Sequence, residues 1–93
     1  AGQGPLRVFT GTIPDYQYEE DGLLLSGVVS GGPAEMAGLQ GGDVIVELAG
    51  HTIVNIYDYT YALDLLKVGN PASIIFTRNG KRINSELVPQ ARK

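Results

Sequence analysis

His51 is the one histidine in the chain, so any proton-transfer or imidazole-ligand chemistry would have to turn on it. A metal site needs further ligands at compatible spacing, and neither an HExxH nor a paired-histidine pattern is present. There is no cysteine, which removes thiolate nucleophiles, thiolate metal sites and disulfides together. Ser26, Ser30, Ser73 and Ser85 fall in or beside expected strands, and none stands in the strand-to-helix elbow that exposes a nucleophile. Glu19, Glu20 and Asp21 bunch together, but the alternating ligand spacing of a calcium loop is missing, so they read as a solvated loop. No catalytic residue, no metal and no cofactor is expected. His51 itself, following Gly50, reads as an exposed turn residue.

The elements around these residues describe a small domain. Ninety-three residues with 43% hydrophobic and 18% charged content suffice for one globular core and not for two. A net charge of −3 opposes nucleic acid as a partner, because phosphate binding needs a basic face. No apolar run reaches the roughly 20 residues that cross a bilayer. The beginning Ala1-Gly2-Gln3-Gly4-Pro5 has the look of an excised fragment.

Residues 7–13 form a short strand-like run interrupted by Gly11 and stopped by Pro14, which has no N–H for a ladder. Residues 15–22 are a polar loop, and residues 23–30 a buried strand. Pro33 opens a short helix through Ala37, which Gly38 ends. Strands follow at 44–48 and 52–54. A longer helix, capped by Asn55 or Asp58, is expected to run to about Lys67. Asn79-Gly80 joins strands 72–78 and 82–88 as a tight hairpin. The order is β, β, short α, β, β, long α, β, β.

The segment Gly32-Pro33-Ala34-Glu35-Met36-Ala37-Gly38-Leu39-Gln40-Gly41-Gly42-Asp43-Val44-Ile45 resembles the core signature of bacterial PDZ domains, small-Pro-Ala-x-x-Ala-Gly-Leu-x-x-Gly-Asp-x-Ile. The physical chemistry agrees: Ala34 and Ala37 let a short helix lie flat on a sheet, Leu39 plugs the core, and Asp43 holds the turn. The resemblance implies an α+β fold: a small, partly open barrel or sandwich of five to six strands with one short and one long helix, in the circularly permuted bacterial arrangement. It spans 7–89, with tails at 1–6 and 90–93. More narrowly, Gly11-Thr12-Ile13-Pro14-Asp15-Tyr16 and Ile56-Tyr57-Asp58-Tyr59 are similar to modules that follow zinc aminopeptidase domains in bacterial peptidases.

A fold of this kind implies peptide capture by strand addition, with a glycine loop holding the terminal carboxylate. By resemblance that loop is Thr10-Gly11-Thr12, with Ile13 following and Arg7 adding charge. Gly11 lets successive N–H groups point at one anion. Tyr59, Leu63 and Leu66, at i, i+4 and i+7, would share the groove face of the long helix, with Ala62 and Leu65 turned to the core. Two departures from the family pattern bear on the ligand. Threonine flanks the loop glycine on both sides, which makes the terminal pocket more polar or leaves it to Phe9 and Ile13 in a shifted register. Pro14 falls where a ladder donor is expected. Tyr57, Tyr59 and Tyr61 alternate by two and cannot share one helix face; they either divide among core, groove and helix start or form a surface for docking a catalytic domain.

The expected function is therefore a monomeric peptide- or protein-binding module of a larger bacterial protease, with an exported, periplasmic or membrane-associated parent. Its rival is a domain that docks on its own catalytic neighbour without binding free peptides.

Overall fold

A computed structural model of the chain describes residues 8–91. Among them are eight strands and two helices: β1 (Val8–Phe9), β2 (Thr12–Pro14), β3 (Leu23–Val28), α1 (Pro33–Met36), β4 (Val44–Leu48), β5 (His51–Thr52), α2 (Ile56–Leu63), β6 (Ala72–Arg78), β7 (Lys81–Leu87) and β8 (Gln90–Ala91). The main sheet runs β2-β3-β4-β6-β7, with β5 paired to β4, and β1 pairs with β8 in a separate two-stranded sheet. All pairings are antiparallel, and the sheets do not close into a barrel. The expected small α+β architecture is the one observed.

The core follows from the alternation of the strands. Leu23 and Leu25 of β3, Ile45 and Leu48 of β4, Ile74 and Phe76 of β6 and Leu87 of β7 are all buried. Ala34 of α1 is fully buried, and the small side chain is what allows so short a helix to sit on the sheet. Asn79 and Gly80 both have positive φ, 53° and 79°, as the two-residue turn between β6 and β7 requires.

The turn before β4 is held by Asp43. Its buried carboxylate accepts from the Gln40 N–H at 2.8 Å, from Arg78 Nε at 2.8 Å and from Arg78 Nη2 at 2.7 Å. Arg78 Nη2 also donates to the Gly38 carbonyl at 2.8 Å, so one guanidinium joins the end of β6 to two points of the motif segment, Gly38 and Asp43. Burial pushes the Asp43 carboxyl up, but the Arg78 hydrogen bond, the Gln40 N–H and the Arg78 charge together outweigh it and hold the group below its ordinary range.

Several boundaries differ from the sequence reading, and those that bear on the site are these. Helix α2 ends at Leu63, not near Lys67, because its hydrogen bonds tighten: the Leu65 N–H donates to Ala62 and the Leu66 N–H to Leu63, three residues back. The interruption expected at Gly11 is present, with φ +76° between β1 and β2, but Pro14, expected to stop the run, lies inside β2. Finally, residues 90 and 91, expected as the start of a tail, form β8 and pair with Phe9 and Val8. That pairing brings the end of the domain against the strand that leads into the Thr10-Gly11-Thr12 loop.

Candidate functional site

β2 is the edge strand of the main sheet, and among the described residues nothing pairs with its outer side. The Gly11 carbonyl accepts from Val29 at 2.8 Å, and the Asp15 N–H donates to Leu24 at 2.8 Å. Backbone groups alternate along a strand, so Gly11, Ile13 and Asp15 face β3 while Thr12 and Pro14 face the open edge. The irregular step in this ladder lies on β3, where Ser26 is the extra residue, so the alternation of β2 is undisturbed. Ser26 Oγ fastens the bulge by donating to the Ile13 carbonyl at 3.0 Å. The open edge therefore offers the Thr12 N–H and C=O and the Pro14 C=O, and proline withholds the next donor.

Gly11 shapes the entrance. Its φ of +76° is the left-handed conformation, and a Cβ there would stand 3.3 Å from the Gly32 Cα. The loop is pinned from below, where the Thr10 carbonyl accepts from the Ala34 N–H at 2.8 Å. Among the described residues no acceptor takes the Gly11 N–H, which leaves it beside the edge-facing Thr12 N–H.

The opposite wall is α2. Asn55 caps it by accepting from the Asp58 N–H at 3.0 Å, while Asp58 Oδ2 accepts from the Val54 N–H at 2.9 Å. A groove of about 280 Å³ lies between α2 and β2, lined on one side by Phe9, Thr10, Gly11, Thr12 and Pro14 and on the other by Ile56, Tyr59, Thr60 and Leu63.

Tyr59 does not stand in this groove as an exposed reader. It is 4% exposed, and its hydroxyl lies 3.1 Å from Thr10 Oγ1 and 2.7 Å from Thr12 Oγ1, which are themselves 3.2 Å apart. Three hydroxyls close a ring that ties the helix to the strand across the groove floor. Burial raises the Tyr59 phenol above its ordinary value; the Thr10 and Thr12 hydrogen bonds oppose the rise, and Tyr16 adds to it.

Of the residues expected at the site, the structure brings together Thr10, Gly11, Thr12, Tyr59 and Leu63. Ile13 is 43% exposed and lies on the other face of β2, near Gly27, so the shifted register with Ile13 in the pocket is not adopted; Phe9 alone of that pair lines the groove. Leu66 is also a correction: it is buried in the core at 8% exposure, while Leu65, expected inside, is 44% exposed. Both reversals follow from the early end of α2, because beyond Leu63 the tighter turn no longer obeys the α-helical period. Arg7 lies outside the described residues. Ile56 and Thr60 were missed; with Leu63 they stand at i, i+4 and i+7, the same spacing as the sequence-predicted face, shifted three residues back. The capping signal at Asn55 was the clue that the helix, and hence its first groove residue, begins at Ile56. Tyr57 and Tyr61 are exposed on the outer face, where Tyr61 meets His51 edge-on with ring centroids 5.5 Å apart.

Residues 25–77 match the family described as PDZ domain. Over 66 residues the chain is 41% identical to a probable periplasmic serine endoprotease, DegP-like, of Pseudomonas putida (strain W619), covering 71% of this chain and 14% of that protein. Over 78 residues it is 31% identical to the putative protease Do-like 14 of Arabidopsis thaliana, covering 83% of this chain and 17% of the relative. The chain thus spans about one seventh of the length of the first of these proteins. Among solved structures it is similar to the HtrA-type protease AlgW with decapeptide, with a TM-score of 0.85 and 23% identity over 95% of this chain and 30% of the other. An aminopeptidase N family protein from Idiomarina loihiensis superposes with a TM-score of 0.83 and 24% identity, over 100% of this chain and 15% of the other. At these identities the two structures show a shared fold.

Proposed function

The chain belongs to the PDZ domain family, and we propose that it captures extended peptide segments by adding them as a further strand on the open edge of β2. As a PDZ module it is a binding domain and not a catalytic one. The observation that carries the reading is the unpaired β2 edge, which faces α2 across a groove and ends at a positive-φ glycine whose N–H is free among the described residues. In this reading the peptide lies antiparallel to β2 with its carboxylate at the Gly11 and Thr12 N–H groups. Its side chains rest on Ile56, Thr60 and Leu63. The missing Pro14 donor costs about 0.5–1.5 kcal/mol, up to about a tenfold loss of affinity. Binding in the range of tens of micromolar follows for so small an interface, an order-of-magnitude expectation.

The test is fluorescence anisotropy with a pool of random C-terminal peptides, followed by the amidated forms of those that bind. Weaker binding of the amides supports carboxylate capture at Thr10-Gly11-Thr12. Equal binding of acid and amide overturns terminal recognition and leaves internal segments as the ligand.

One observation favours a second reading, in which the domain packs on its parent's catalytic domain and takes no free peptide. The Tyr59 hydroxyl already joins α2 to Thr12 of β2 at 2.7 Å, so the two walls are tied together without a ligand. A peptide pool that enriches no terminal motif selects this reading.

The parent we propose is an exported bacterial peptidase, acting with this module as a monomeric unit. The DegP-like relatives carry the word periplasmic in their names and are serine endoproteases. The motifs around Gly11–Tyr16 and Ile56–Tyr59 are the support for the narrower proposal of a zinc aminopeptidase. Sequence flanking this chain tests it: a set of zinc-ligating His and carboxylate residues supports the zinc enzyme, and a serine triad overturns it.

A further inference from the structure

We propose that the peptide taken by this groove is basic upstream of its terminus, with Lys or Arg about four or more residues back from the carboxylate. The inference rests on the peptide-capture reading and names the class of peptide.

The geometry comes first. A strand lying antiparallel to β2, with its carboxylate at Gly11, runs backward past Pro14 toward Asp15 and Tyr16. At about 3.3 Å per residue, the fourth residue from its end has reached that point. There the groove opens into a second depression of about 340 Å³, and Tyr16 and Ile56 line both. The second depression is walled by Asp15, Glu19, Glu20 and Asp21. No Lys or Arg is among its lining residues, and in the sequence none stands between Arg7 and Lys67, while nine of the ten acidic residues do. Of those nine, Asp43 is paired with Arg78, and among the described residues no ion pair engages the four in the depression. Among the described residues the cations stand on other segments, Lys67 after α2 and Arg78, Lys81 and Arg82 at the β6–β7 turn.

The test uses this chain with bead-displayed random decapeptides carrying a free carboxyl. It then compares two synthetic decapeptides that share their last four residues and differ in three upstream positions, Lys in one and Glu in the other. The lysine peptide is expected to bind about three- to tenfold tighter at low salt, as a few exposed ion pairs allow. The difference should shrink as ionic strength rises and the screening length falls below about 8 Å. Glu19→Lys/Glu20→Lys/Asp21→Lys, in an exposed loop, should erase or reverse it, while Glu86→Lys on β7 should not. Peptides that enrich without an upstream basic bias, or a lysine preference that survives the triple change, overturn the inference and leave peptide capture standing. A library that yields no ligand overturns both.

Discussion

Removing one oxygen from the groove floor, Tyr59→Phe, separates the structure's account of α2 from the one the helical period suggests. On the structure, Tyr59 is a core residue whose hydroxyl makes two bonds, at 3.1 and 2.7 Å. Each such bond is worth about 0.5–1.5 kcal/mol net. Thr10 and Thr12 keep their mutual bond, and half-buried Thr12 can turn toward water, so the lower part of the range applies. The expected loss is about 1–2 kcal/mol, read as a lower urea midpoint at unchanged m-value. Thr12→Val should cost less, and the double variant should lose less than the sum of the two, because both singles break the same bond. The alkaline limb supplies an independent readout. Since the folded phenol titrates above its unfolded value, the unfolded chain releases this proton first. Stability conferred by the neutral phenol is complete below about pH 10 and is lost as pH rises past it. Tyr59→Phe should lack that part of the decline. A Tyr59→Phe midpoint within about 0.3 kcal/mol of the parent, together with an unchanged alkaline slope, would refute the hydroxyl ring.

Three further outcomes are expected. Ile45→Ala, at a fully buried position of β4, should cost about 2–5 kcal/mol, and Leu63→Ala, half-buried beside the groove, clearly less; equal losses in urea melts would place Leu63 in the core. Asp43→Ala should cost about 1.5–3 kcal/mol by the same assay. Because Arg78 and the Gln40 N–H hold the Asp43 carboxyl low, the stabilisation is present above the unfolded value of about 3.9 and disappears as pH falls through the lower folded value, so the variant should show a shallower acid limb. Gly11→Ala puts a side chain at φ +76° and 3.3 Å from backbone; a loss of about 1–3 kcal/mol in thermal or urea melts is expected, and a neutral result would mean that the loop is not held as described.

Much of the fold was legible in local chemistry. The segment 32–45 carries its own instructions: proline at the helix start, alanines where the helix meets the sheet, an aspartate where the turn needs an acceptor. Asn79-Gly80 fixes a hairpin because only residues tolerant of positive φ close a two-residue turn. The family resemblance implied that one face of α2 borders a groove, and the i, i+4 and i+7 spacing set out a candidate for that face. The spacing could not assign the phase, because Ile56-Thr60-Leu63 and Tyr59-Leu63-Leu66 both satisfy it. That choice belongs to the tertiary structure, where Tyr59 finds two threonine hydroxyls more than forty residues away and Leu66 finds the core once the helix has tightened and stopped. The pairing of β1 with β8 is of the same kind, joining Val8 to Ala91. Contacts between residues so far apart leave no periodic trace in the chain, since they are decided by which surfaces meet when the sheet is assembled.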